Sequence, residues 1–150
     1  MLRISQLFLF MCIVFSLQAQ DATFSGKVFL QGAYDPNTFL MRTLLVQHGD
    51  FPTQQPYDRE PWQYPGTETL LTVPDSLVDW ILIELRSGED FSYQEYQKAV
   101  LLKKDGTILD TNMSPLISFP GIKPGSYYLI LRHRNHMPVM TAQPVNLPNQ

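Results

Sequence analysis

Cysteine is nearly missing. The 150 residues contain one, Cys12, inside an apolar N-terminal stretch. This excludes an intramolecular disulfide framework, and it excludes thiol catalysis and thiolate metal sites from the rest of the chain. Basic runs are missing too. The 11 Lys and Arg are scattered among 14 Asp and Glu, so nucleic acid is not an expected partner. Beyond the N-terminal stretch no apolar run approaches membrane-spanning length, and no membrane span is expected there. The catalytic signatures Gly-x-Ser-x-Gly and His-Glu-x-x-His are absent, as is a glycine-rich phosphate loop.

The apolar N-terminal stretch reads as a secretory signal peptide over residues 1–19. Arg3 supplies the positive start, residues 7–17 form the apolar stretch, and Ala19 is the small residue before cleavage. The alternative is an uncleaved N-terminal anchor. Cys12 lacks the small residues before it that a lipoprotein signal needs. Cleavage would leave residues 20–150 as the mature domain, expected to be secreted or held at the cell surface. Arg3 leaves with the signal, so the mature chain holds 10 Lys and Arg against 14 Asp and Glu. Its 131 residues are enough to bury a core without disulfides.

All 12 prolines lie in that mature region at short intervals. They exclude long helices and favour short strands joined by structured turns. Residues 24–34 form the first strand candidate, with Gly26 and Gly32 marking a bulge or close approach. Residues 39–46 fit a strand or a short helix equally well. Residues 48–75 are a long Pro- and aromatic-rich loop, read as extended backbone pinned by buried aromatics. Residues 77–86 are a strand apolar on both faces, because Trp80, Ile81, Leu82 and Ile83 are consecutive. Asp105-Gly106 between two strand-like runs is a hairpin signal. The turn from Phe119 to Gly125 leads into a strand over residues 126–136, apolar at first and then alternating charge and histidine. Its apolar half and residues 77–85 are expected to be partner layers. Residues 138–142 and 144–147 close the chain as an interrupted strand. Together these read as an all-β domain, a single Greek-key β-sandwich of prealbumin-like or immunoglobulin-like type.

Two groups of side chains are functional candidates. In the loop, Tyr57, Trp62 and Tyr64 offer flat faces for a sugar ring or a protein partner, with Arg59 beside them as a polar contact. The competing reading folds these rings back as a lid over the sheet, since uncovered Trp lowers solubility. The second group is Asp79, Glu84, Arg132, His133, Arg134, Asn135 and His136. On one continuous strand Arg132, Arg134 and His136 share a face and pair with Glu84 or Asp79, while His133 and Asn135 lie opposite. That geometry separates His133 from His136, so these residues are expected to be structural polar pairs. A metal site would need a bend at Asn135 or further ligands such as His48, Asp50 or Asp110. No metal, cofactor or catalytic residue is expected.

The chain also resembles known exported modules. Residues 25–28 with residues 119–129 resemble prealbumin-like sandwich modules, in which Pro-Gly precedes a Tyr-containing strand. A narrower resemblance rests on Met41-Arg42-Thr43, Gln55-Pro56-Tyr57, Pro61-Trp62-Gln63-Tyr64, Gly66-Thr67-Glu68, residues 78–86 and residues 127–142. These look like a module of secreted bacterial hemagglutinin-like surface proteins, where it precedes a type IX secretion sorting segment. The repeated Asp-Gly loops and the sorting tail that follow it there are not found before Gln150. The resemblance implies an exported module and carries over no catalytic residue. The expected role is therefore non-catalytic, in adhesion, ligand binding or architecture, with a glycan or another surface protein as partner. The alternatives are a carbohydrate- or protein-binding domain using residues 51–64, and a small metal-dependent hydrolase.

Overall fold

The computed structural model describes residues 21–90 and 92–148. The signal-peptide reading of residues 1–19 lies outside them. In chain order the elements are β1 (Ala22–Phe24), β2 (Tyr34–Asp35), β3 (Leu40–Met41), α1 (Leu44–His48), β4 (Leu77–Ser87), β5 (Gln94–Lys103), β6 (Ile108–Leu109), β7 (Ile117–Phe119), β8 (Gly125–His133), β9 (His136–Met140) and β10 (Val145–Leu147). Strand accounts for 42% and helix for 4% of the described residues, which makes the fold all-β.

The most apolar run becomes the centre of the main sheet. β4 is buried from Leu77 to Leu85, as a strand with apolar residues on both faces must be. It pairs antiparallel with β5 on one side and β8 on the other. The two long apolar runs are thus neighbours within one sheet, not facing layers. The sheet runs β10-β8-β4-β5-β6, and β9 shares an edge of β8 with β10. The hairpin at Asp105-Gly106 forms: Gly106 takes φ 83°, the Lys103 N–H donates to the Thr107 carbonyl, and the Lys103 carbonyl accepts from the Gly106 N–H.

Each face of this sheet is covered by a different part of the chain. Ile81, Ile83, Leu85, Val100, Leu102 and Leu129 pack against Ala22, Ile117 and Phe119 of the β1–β7 ribbon, and against Leu30 and Met41. Lys98 ties this layer down, with its Nζ 2.6 Å from Asp110 and 3.0 Å from the Ser118 carbonyl. The opposite face presents Leu77, Trp80, Leu82, Ala99 and Leu101, and residues 51–70 cover it with Phe51, Tyr57, Tyr64 and Leu70. Four hydrogen bonds hold this cover in place, two to Trp80 and two within the loop. The Trp80 indole donates to the Pro52 carbonyl at 2.7 Å. The Tyr57 hydroxyl donates to the Trp80 carbonyl at 2.8 Å. Buried Gln55 donates to the Gly66 carbonyl and accepts from the Tyr57 N–H. A sheet apolar on both faces has to cover the second one, and this loop carries the rings that do it.

Three local expectations need correction. Residues 24–34 are not one strand: β1 ends at Phe24, Lys27 makes an isolated bridge to Thr107, and the chain then turns at residues 31–33. Residues 39–46 divide into β3 and the first turn of α1, a five-residue helix ended by Gly49 in the left-handed region at φ 76°. The strand expected over residues 126–136 is two strands, β8 and β9, with a tight turn at Arg134-Asn135.

Candidate functional site

The turn at Arg134-Asn135 reverses the chain, so His133 and His136 become cross-strand partners in an antiparallel pair. Their Nδ1 atoms are 2.9 Å apart and their ring centroids 4.8 Å apart. The strand geometry assumed from sequence would have put them on opposite faces. A two-residue turn cancels that argument, because paired residues across a ladder share a face.

A second irregularity brings in the carboxylate. The register of β4 slips between Leu77 and Asp79. Leu77 and Trp80 face one core cluster while Val78 and Ile81 face the other, so the alternation breaks at this bulge. Asp79 is thereby aimed at the end of β8. Its Oδ2 lies 3.0 Å from His133 Nε2, and its Oδ1 accepts from Arg134 Nη2 at 2.6 Å and from the Trp80 N–H at 2.8 Å.

These contacts assign the protons. His133 Nε2–H donates to Asp79. His133 Nδ1 then accepts from the Asn135 N–H at 3.1 Å and from His136 Nδ1–H. The outer nitrogen of the chain, His136 Nε2, is left as an acceptor. Burial holds the His136 imidazole below its usual pKa of 6.5, and the neighbouring His133 adds to this, while Asp79 opposes it. Asp79, His133 and His136 therefore form a hydrogen-bonded chain from the protein interior to a partly exposed imidazole.

That chain forms one wall of a cleft of about 500 Å³. α1 and the residues before it form the other, with Arg42, Leu44 and Leu45; Leu30 and Val78 lie between. Arg42 Nη2 donates to the Gly32 carbonyl at 2.8 Å. Gly32 faces His136, since a Cβ placed on it would lie 3.6 Å from His136 Nε2. No Ser, Thr, Tyr or Cys side chain is among the described residues lining this cleft. Among the described residues, no group of three or more His, Cys, Asp or Glu is arranged to hold a metal ion.

Arg132 and Glu84 belong to a different site. Glu84 is completely buried and receives Arg132 Nε at 2.7 Å and Arg86 Nε at 2.6 Å. Burial pushes its carboxyl upward, but the two guanidinium hydrogen bonds and charges outweigh this and hold it below its usual value near 4.5. The group expected as one polar cluster thus divides: Glu84 with Arg132 between β4 and β8, and Asp79 with His133, Arg134, Asn135 and His136 at the cleft.

The aromatic loop offers little stacking surface. Tyr57 is 0% and Tyr64 7% exposed. Burial raises the pKa of both hydroxyls, and the Tyr64 hydroxyl donates to Glu68. Trp62 is partly buried, edge-to-face on Tyr57 at 5.2 Å. Arg59 is exposed, and its carbonyl accepts from the Trp62 and Gln63 N–H groups. A flat platform of Tyr57, Trp62 and Tyr64 is therefore not presented; the rings are used against the sheet.

Sequence reasoning missed Arg42, Gly32 and the pairing of the two histidines at this site. The available signal was Asn135, a turn-favouring residue placed between the two histidines. Comparison of the chain with protein-family models, with curated proteins and with solved structures finds no match in any of the three.

Proposed function

We propose that the chain is an exported, non-catalytic β-sandwich module of the hemagglutinin-like surface type that binds its ligand in the cleft between α1 and the β8–β9 turn. The cleft carries this reading: it joins an apolar wall to fixed polar groups in one concavity, as ligand sites do. Asp79 and His133 are held by hydrogen bonds within the site itself, to Arg134, Trp80 and Asn135, which supports a fixed binding wall. The β1–β7 ribbon over one face of the main sheet supports a two-layer, Greek-key sandwich. Export is supported by the signal-like residues 1–19.

The test is a fragment titration. The full chain, produced through a bacterial secretory route with ¹⁵N label, is titrated with a small-molecule fragment set and followed by amide chemical shifts. Shifts concentrated on Gly32, Ala33, Asn135 and His136 support the cleft. Shifts confined to residues 58–63 overturn it in favour of a loop surface built on Arg59 and the open edge of Trp62. N-terminal sequencing of the exported product is expected to start at Gln20.

A further inference from the structure

The charges around the cleft restrict what it can hold. Arg134 is committed to Asp79 at 2.6 Å, and those two charges cancel locally. His133 is engaged by the same carboxylate. His136 is neutral at neutral pH, its imidazole held below its usual value by burial and by His133. Arg42 is left with a full positive charge. It makes one hydrogen bond, to the Gly32 carbonyl, and its remaining N–H groups have no acceptor among the described residues. Arg134 Nε is a further buried donor without a partner. The cleft therefore has one excess positive charge and spare guanidinium donors. Its other surfaces, Leu30, Leu44, Leu45 and Val78, are apolar.

We infer that this cleft takes a monocarboxylate bearing a short apolar chain, with Arg42 gripping the carboxylate and Leu30, Leu44 and Leu45 contacting the chain. The inference rests on the cleft being the binding site. A guanidinium fork matches the two oxygens of a carboxylate and is the side chain best suited to bidentate capture. A dianion such as a phosphate monoester would find no second uncompensated positive charge, because Asp79 neutralises Arg134. The apolar wall would leave the hydroxyls of a free sugar unpaired. His136 Nε2, the acceptor facing Gly32, is placed to receive a hydrogen bond from an N–H next to the carboxylate. Such an N–H exists at a peptide C-terminus and not in a simple alkyl acid.

Isothermal titration and amide shifts of the full chain at pH 7.5 test this with two matched pairs: hexanoate against hexanamide, and N-acetyl-leucine against N-acetyl-leucinamide. Each acid is expected to bind at least about tenfold more tightly than its amide. N-acetyl-leucine binding more tightly than hexanoate assigns the site to peptide C-termini; the reverse order assigns it to small organic acids. Arg42→Met keeps the apolar stem and is expected to abolish the difference between acid and amide. Acids and amides binding equally in the cleft overturn the charge argument while leaving the cleft as the binding site. No binding of any probe at Gly32, Ala33, Asn135 or His136 overturns both. The comparison of acid with amide on the unaltered chain stands even where the variant folds poorly.

Discussion

Glu84 is a completely buried carboxylate gripped by two arginines, and Glu84→Gln tests what that arrangement contributes. Breaking a buried pair by removing one partner destabilises by about 3–5 kcal/mol when the other charge stays buried. Here the arginine side chains are 26% and 29% exposed and can turn to water, which lowers the figure. Glutamine keeps the shape and one acceptor oxygen, and it relieves the burial of a charge. The loss is then about one charge-assisted hydrogen bond, roughly 2 kcal/mol. For a domain of this size that lowers Tm by about 8 °C. The sign with pH follows from linkage. The folded pKa of Glu84 lies below its unfolded value near 4.5, so its contribution is complete above that value and is lost as pH falls through the folded pKa. Glutamine does not titrate. The stability difference between the two proteins should therefore be constant from pH 7 to about 5 and shrink as pH is lowered further. Urea unfolding followed by fluorescence of Trp62 and Trp80 measures it. A difference below about 0.5 kcal/mol at pH 7, or one that stays unchanged down to pH 2.5, refutes the reasoning.

Four further outcomes are expected. Tyr57→Phe leaves the Trp80 carbonyl without its 2.8 Å donor and should cost about 1–2 kcal/mol in urea unfolding. Gly106→Ala forces a side chain into φ 83° with its Cβ about 2.9 Å from the Phe29 ring; about 2 kcal/mol is expected, with a Tm near wild type refuting the turn geometry. Trp62→Ala should lose about 2 kcal/mol of stability, because the ring packs on Tyr57. Unchanged stability with loss of a binding activity would mark the loop as a ligand surface instead. The depressed pKa of His136 means that the folded chain binds its proton less readily than the unfolded chain does. Its contribution is complete above the unfolded value of 6.5 and is lost as pH falls below it, so His136→Gln should flatten the pH dependence of stability on the acid side of 6.5.

Much of the fold was legible because local signals there agreed with the global arrangement. The run from Trp80 to Ile83, bounded by Pro74 and Ser87-Gly88 and rich in β-branched residues, favoured a strand covered on both sides over a helix, and it is the centre of the sheet. Asp105-Gly106 could only turn. The aromatic loop was legible as pinned by its own rings, since four aromatics and five prolines in residues 48–75 leave few other ways to satisfy them. The site was harder to see. Extending strand periodicity through Arg134 and Asn135 put His133 and His136 on opposite faces, and one tight turn reversed the conclusion. The bulge that aims Asp79 at His133 leaves no mark in composition, because it depends on how β4 registers against β5. Arg42 is 91 positions from His133, and only the docking of α1 beside β4 brings them to one cleft.

By itself the sequence determined the class of structure and that the run from Trp80 to Ile83 is apolar on both faces. Hydrophobic periodicity and turn chemistry are local properties, and each is written within a dozen residues. It also determined that a second apolar face would need covering, since a doubly apolar strand cannot be left in water. Only the tertiary structure decided what covers each face, which charges pair, and where a cleft remains. Those outcomes depend on register and on contacts between distant segments. A one-residue slip or a two-residue turn changes which side chains meet while leaving the local pattern unaltered.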